Sequence, residues 1–348
     1  MKTLQQVEPR APISSAPFTI SQPGSYYLTT NLTVSSGSAI IIATNGVTLD
    51  LNGYTIRSTA NPANAAAIWI ENGLRNLAIL NGNIEGGVTN NAGTYSGPGF
   101  GYGVIYPQVA PRNVRVSGLN VSGCSQDGIN VGNGDSTVVE SSSVRTVGRY
   151  GIVATVVKNC TALECADTAI AGTTVSDCRG ESTGSGHGVF AATTAQNCSG
   201  NSASGHGVYS GSTAQNCYGF SNSGRGVYAY TALNCYGNST GNNGVDAMIA
   251  QNCYGISSTG DGVYAYHTAQ NCYGYSNTSR GVTAGDIAIG CFGKCGQFGT
   301  GVSTVIAAFC SGWNTSGGTA INAAVANSCY VILPAYGTIT ADHKYNMP

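Results

Sequence analysis

Charge is what this chain has least of. Only 8% of its 348 residues are Asp, Glu, Lys or Arg, about a third of the usual share. With 14 Lys+Arg against 15 Asp+Glu the formal net charge is -1, which leaves no basic surface for nucleic acid. Scarce charge beside 42% hydrophobic residues also excludes an expanded disordered chain. No apolar run reaches the ~18 residues of a membrane span, and the N-terminal Met-Lys-Thr-Leu-Gln-Gln-Val-Glu carries no signal-peptide core. What the chain has instead is 50 Gly, 20 Tyr and 13 Cys. The glycines do not recur every third residue, so the chain is not collagen.

The cysteines are periodic. They fall at 160, 178, 198, 217, 235, 253, 272, 291, 310 and 329, most of them inside copies of Thr-Ala-Gln-Asn-Cys-Tyr-Gly. Cys124 lies two periods before Cys160. Gly-Val or Gly-Ile pairs run alongside, from Gly103, Gly128 and Gly151 through Gly188, Gly207, Gly226, Gly244, Gly262, Gly281 and Gly301. Ser/Gly/Asn turns separate the two columns. A period of 18–20 residues is too short for a helix pair and suits several short strands per coil. Each strand then pairs with its copy in the next coil, roughly 4.8 Å away, and identical residues stack. Leucine-rich repeats need a Leu framework that is missing, and hexapeptide helices need a six-residue subperiod that is also missing.

These features predict an all-β chain: a right-handed, single-stranded parallel β-helix with 18–20-residue coils and ladders of Cys and Asn. The Asn before each Cys (159, 197, 216, 234, 252, 271) is expected at a turn, its amide bonding to the next coil. The Gly46-Val47-Thr48-Leu49-Asp50-Leu51-Asn52-Gly53-Tyr54-Thr55-Ile56 segment, followed by such coils, resembles the pectin-lyase-like β-helix superfamily over about residues 17–330. The resemblance implies the fold but no single activity, since that superfamily holds lyases, hydrolases, epimerases, tailspikes and adhesins. The expected layout is a lead-in or cap at 1–16, the β-helix at 17–330 with a loop insertion at 85–112, and a C-terminal cap at 331–348.

A column of thiols at one repeat position reads as buried filler of a thin core. The side chains point the same way, which is poor geometry for disulfides, and no set of spacings suggests a metal site. Cys165 and Cys295 fall outside the column and are expected to be the reactive thiols.

Between residues 182 and 285 only Arg225, Asp246, Asp261 and Arg280 are charged. Three of them immediately precede a Gly-Val pair, in a column that also holds Tyr102, Asp127, Tyr150, His187, His206 and Asn243. Asp246 belongs to a neighbouring column of Phe190, Tyr209, Tyr228 and Tyr264. Polar and aromatic groups therefore share one side of the coils, as in a saccharide-binding groove. For β-elimination, Arg225 or Arg280 would neutralise a uronate while His206 takes the proton. For hydrolysis, Asp246 and Asp261 are the only carboxylate pair there. The candidate catalytic set is His206, Arg225, Asp246, Asp261 and Arg280. The candidate substrate-binding set is His187, Tyr209, Tyr228, Tyr264, Tyr102, Asp127 and Tyr150, and no metal ligands are assigned. The bland alternative is that charges gather at exposed turns, with Arg280 pairing Asp261 one coil away. Residues 85–150, with the insertion, form a second candidate region.

The expected function is a secreted or cell-surface protein that acts on or binds a polysaccharide or cell-surface glycan, as a lyase or glycoside hydrolase if catalytic. The alternative is a non-catalytic adhesin, spike or coat element, monomeric or trimeric. No cofactor is expected, except calcium if the activity is that of a lyase. A partial column of Thr194, Thr213, Thr231 and Thr268 raises ice binding as a third idea.

Overall fold

A computed structural model describes residues 10–134, 136–332 and 337–347. Most of the expected N-terminal lead-in, residues 1–9, lies outside the described residues, as do 333–336 and 348. The chain divides into two compact units, Met1–Gly184 and Ser185–Pro348. Each is an all-β parallel solenoid without a helix among the described residues, which is the architecture the sequence predicts. No helix there is long and apolar enough to cross a membrane.

In the first unit the interior is built of branched aliphatics in register. One column runs Leu49, Ile79, Val116, Val139, Val157, Val175. A second runs Ile40, Ile68, Val104, Ile129, Ile152, Ile170. Most are Val or Ile, whose β-branched side chains pack well on a pleated, half-buried surface. All of them are fully buried or nearly so. Within the 85–112 insertion, Thr89–Asn91 pairs antiparallel with Thr94–Ser96. The Tyr95 hydroxyl pins this hairpin to the coils, donating to the Glu164 carbonyl at 3.0 Å and meeting Thr183 Oγ1 at 2.8 Å. Burial pushes the Tyr95 pKa up.

The second unit is filled by smaller side chains. Its interior columns are Val208, Val227, Val245, Val263 and Val282, then Ala214, Ala232, Ala250 and Ala269, then Gly219, Gly237, Gly255 and Gly274. Gly is required in the third column by close approach. A Cβ built on Gly219, Gly237, Gly255, Gly274 or Gly293 would lie 1.8–2.0 Å from the carbonyl oxygen of the next coil's Gly-Val glycine. The serines two residues on point inward and donate across the core, as from Ser239 Oγ to the Gly224 carbonyl at 2.6 Å.

The Asn and Cys columns share a corner. Asn197, Asn216, Asn234, Asn252 and Asn271 sit at φ +51 to +53, a left-handed conformation that Asn tolerates and most residues avoid. From Asn216 on, each amide donates to the Asn one coil back, at 3.1–3.3 Å. The next residue, Cys, turns inward. Its Sγ donates to the carbonyl two residues earlier and to an Ala carbonyl of the preceding coil, for Cys253 both at 3.3 Å. All thirteen cysteines are buried thiols outside any disulfide. Cys165 and Cys295 are 0% exposed, which corrects the expectation that they are the reactive thiols. Burial raises the Cys165 pKa well above its ordinary value, so it is not a thiolate.

The glycine column gives a direct test. Gly255→Ala forces a methyl against the Gly262 carbonyl and is expected to destabilise by about 3 kcal/mol or more. Gln270→Ala, at an exposed position, should stay within about 0.5 kcal/mol. Urea unfolding midpoints with m-values check both.

Candidate functional site

The polar column has a repeated role in the backbone. At several coils its side chain accepts the N–H of the equivalent residue one coil on. Asp127 Oδ1 accepts from Tyr150 N at 3.3 Å, His187 Nδ1 from His206 N at 3.0 Å, and His206 Nδ1 from Arg225 N at 3.1 Å. Asn243 Oδ1 accepts from Asp261 N at 2.9 Å, and Asp261 Oδ1 from Arg280 N at 3.1 Å. Asp, Asn and His share one property that this position uses, an acceptor held close to the main chain. The column that reads as chemistry in the sequence caps coils in the structure.

The charges of the candidate catalytic set are also engaged. Asp246 is 1% exposed and accepts from Arg225 Nε and from Asn243 Nδ2, both at Oδ2. Asp261 is 3% exposed and takes Ser279 Oγ, Thr283 Oγ1 and Arg280. Each carboxylate is locked to its own arginine, so the two do not stand as a facing acid and base. His206 is held neutral, its pKa lowered to about 4 chiefly by burial and then by His187 and Arg225. Among the described residues no three or more His, Cys, Asp or Glu gather as metal ligands do.

The aromatic column is stacked, and this changes what it presents. Phe190 and Tyr209 lie 4.9 Å apart at 9°, and His187 and His206 lie 5.0 Å apart at 9°. On another face Tyr218, Tyr236, Tyr254 and Tyr273 stack at 4.5–5.1 Å and 4–8°. Rings stacked this way spend their faces on each other and show edges to solvent, so they are not flat platforms for sugar rings. Tyr228 turns 67° from Tyr209, and Tyr264 meets Tyr266 edge-on at 85°. The threonine array is broken as well, because Ile249 stands between Thr231 and Thr268.

The first unit carries a concavity lined by aromatic and polar side chains. A cleft of about 400 Å³ is lined by Trp69, Tyr102, Tyr106, Gln108, Asn130 and Arg149, with Ile105 and Pro107. It forms because Trp69 points outward between the inward Ile68 and Ile70, and Ile105 pairs beside it one coil on. The chain at 106–109 is then held over the strand by Asn72, whose Oδ1 accepts from Gln108 N and Val109 N at 3.0 and 2.9 Å.

Asp127 lies under this cleft at 0% exposure. It accepts from Asn130 Nδ2 at 2.8 Å and from Arg149 Nη2 at 3.0 Å, and so aims two lining side chains. Arg149 Nε lies 2.8 Å from Asp127 Oδ1 without a hydrogen-bonding angle, since that nitrogen makes no bond. Burial pushes the Asp127 pKa up, while Asn130 and Arg149 pull it down. Asn130 Oδ1 also accepts from Gly132 N at 3.1 Å, which leaves one donor and one lone pair of its amide free to meet a ligand. Tyr150 lies under the Arg149 guanidinium at 4.8 Å. Of the residues expected here, Tyr102 lines the cleft, while Asp127 and Tyr150 support Arg149. Trp69, Gln108 and Asn130 were not singled out by sequence. The signal for Trp69 was available, as an outward Trp in an alternating Ile-Trp-Ile strand.

His206 gives a pH test. Its folded-state pKa lies below the ordinary 6.5, so the stability it contributes is full above about 6.5 and is lost as pH falls toward about 4. His206→Asn keeps an acceptor for Arg225 N and does not titrate. Thermal unfolding between pH 7 and 4 should show a shallower loss for the variant, and equal slopes would refute the assignment.

No family model matches the chain, and no curated protein matches it. Solved structures similar to it include the following two. One is a GH136 lacto-N-biosidase from Eubacterium ramulus, at 10% identity and a TM-score of 0.29, covering 96% of this chain and 58% of that one. This chain thus spans less than two thirds of the biosidase. The other is a hyperthermoactive exopolygalacturonase from Thermotoga maritima, at 13% identity and a TM-score of 0.25, covering 93% and 84%. At such scores neither assigns a family or an activity; the fold rests on the chain's own parallel coils.

Proposed function

We propose that the protein binds a neutral glycan in the cleft of the first unit and does not turn it over. The observation that carries this reading is the cleft itself: two tyrosines, a tryptophan, two amides and an arginine around about 400 Å³. That volume falls in the range of small-ligand sites, roughly 300–1,000 Å³. A half-buried indole supplies apolar contact to a sugar ring, while Arg149, Asn130, Gln108 and the tyrosine hydroxyls supply donors and acceptors for hydroxyl groups.

Charge decides which sugars. Arg149 is paired with the buried Asp127, so the pair carries no net charge and favours hydroxyls over a uronate. Binding rather than turnover follows from the lining. None of its residues is a carboxylate or a histidine, so the cleft offers no acid and base. Asp246 and Asp261 of the second unit are engaged in the ion pairs described above.

Oligosaccharide titration tests the reading, with Trp69 fluorescence followed in a Trp313→Phe background. Neutral oligosaccharides are expected to bind and to release no reducing ends. Trp69→Ala, followed by calorimetry, should weaken binding at least about tenfold, and Arg149→Ala by a similar factor. Uronate oligomers should bind less well than neutral ones of equal length. The reading fails if no neutral glycan binds across a broad panel, or if Trp69→Ala binds as well as the parent.

A further inference from the structure

The second unit contains a place where its ring stack is interrupted. Phe190 and Tyr209 stack in parallel, and Tyr228 turns edge-on. In the next coil Asp246 occupies the position where a ring would continue the column. Two residues further along the same strands come Gly211, Tyr230, Met248 and Tyr266. A Cβ on Gly211 would lie 2.1 Å from the Ala192 carbonyl, so no side chain fills the space beside Tyr209. The result is a recess of about 110 Å³ bordered by Tyr209, Tyr228, Tyr230, Tyr266, Met248 and Gly211.

Asp246 is incompletely satisfied. Arg225 and Asn243 both bond to Oδ2, while Oδ1 is buried and makes no hydrogen bond among the described residues. Asp246 does not line the recess and Oδ1 is closed off from it, so the carboxylate acts there through its charge and not through a hydrogen bond. The charge of Asp246 is felt at the recess. It is the largest cause of the raised Tyr266 pKa, and Tyr266 is one of the bordering rings.

We propose that this recess binds an alkylammonium group, held against Tyr230, Tyr266 and Met248 and balanced by Asp246. Tyrosine rings attract such a cation through their quadrupoles, and tyrosine cages are a known solution for quaternary ammonium. The Met248 thioether is polarisable and fits soft, methylated surfaces. Size selects the ligand. About 110 Å³ holds three or four waters at ~30 Å³ each, which suits a trimethylammonium head and is too small for a sugar ring. Arg225 lies over the Tyr228 ring at 4.5 Å and neutralises part of the Asp246 carboxylate, so the affinity is modest. The site is separate from the glycan cleft, and either proposal stands without the other.

Calorimetric titration with choline tests it, against the neutral isostere in which a tert-butyl group replaces the trimethylammonium. Choline should bind with a Kd of about 10 mM or tighter, and the isostere at least about tenfold more weakly. Tyr230 and Tyr266 are 56% and 41% exposed, so Tyr230→Ala and Tyr266→Ala should keep the parent's unfolding temperature while losing choline affinity at least about tenfold. Phosphocholine and Nε-trimethyllysine are the two natural sources of the head group, and the tighter binder names the source. Equal binding of the isostere, no choline binding at about 100 mM, or full affinity in both tyrosine variants would overturn the proposal.

Discussion

The second unit depends on one contact: a glycine backbone pressed against the carbonyl of the next coil's Gly-Val turn. With 1.8–2.0 Å between a hypothetical Cβ and that oxygen, the interior has room for backbone and for Ala, Val, Ser and Cys. Composition follows from width. A thiol fills a narrow corner and donates to two carbonyls, and an inward serine returns its hydroxyl to a backbone oxygen. A charge cannot enter such a core unpaired. This is why the few carboxylates there are partnered at the corners, and why the sequence is so poor in them.

The same constraint separates the two units in what they can build. Branched aliphatics fill the first, and there an outward Trp, an insertion and a buried Asp make a cleft of useful size. In the second, identical small coils bring identical positions into register, so outward rings stack and use up their faces. A recess bordered by these rings appears where Asp246 and Gly211 break the column. Departures from the repeat, rather than the repeat, carry the candidate chemistry of that unit.

Much of the fold was legible because the repeat states its own register. The Cys spacing, the Asn before each Cys and the Gly-Val pairs fix which residues meet, and the parallel pairings follow from them. The site was less legible. The position of Asp261 and His206 before a Gly-Val pair was clear, but not that each faces the N–H of its copy one coil on. That depends on the path of the corner. Nor does a column of tyrosines reveal whether faces or edges meet solvent, since χ angles decide this. Trp69 escaped notice for a different reason: it lies before the regular repeats, where no copy of it draws attention.

The side-chain-to-backbone caps have a bearing on how such a chain changes length. Each joins a residue to its equivalent one coil on, and the amide bonds of Asn216, Asn234 and Asn252 do the same. If a coil of the second unit is lost or copied whole, every cut bond finds an interchangeable partner across the new junction. Slippage in a repetitive coding sequence then alters coil number while leaving the fold intact. Related chains are therefore expected to differ in length by whole coils, and fractional insertions to be confined to the turns.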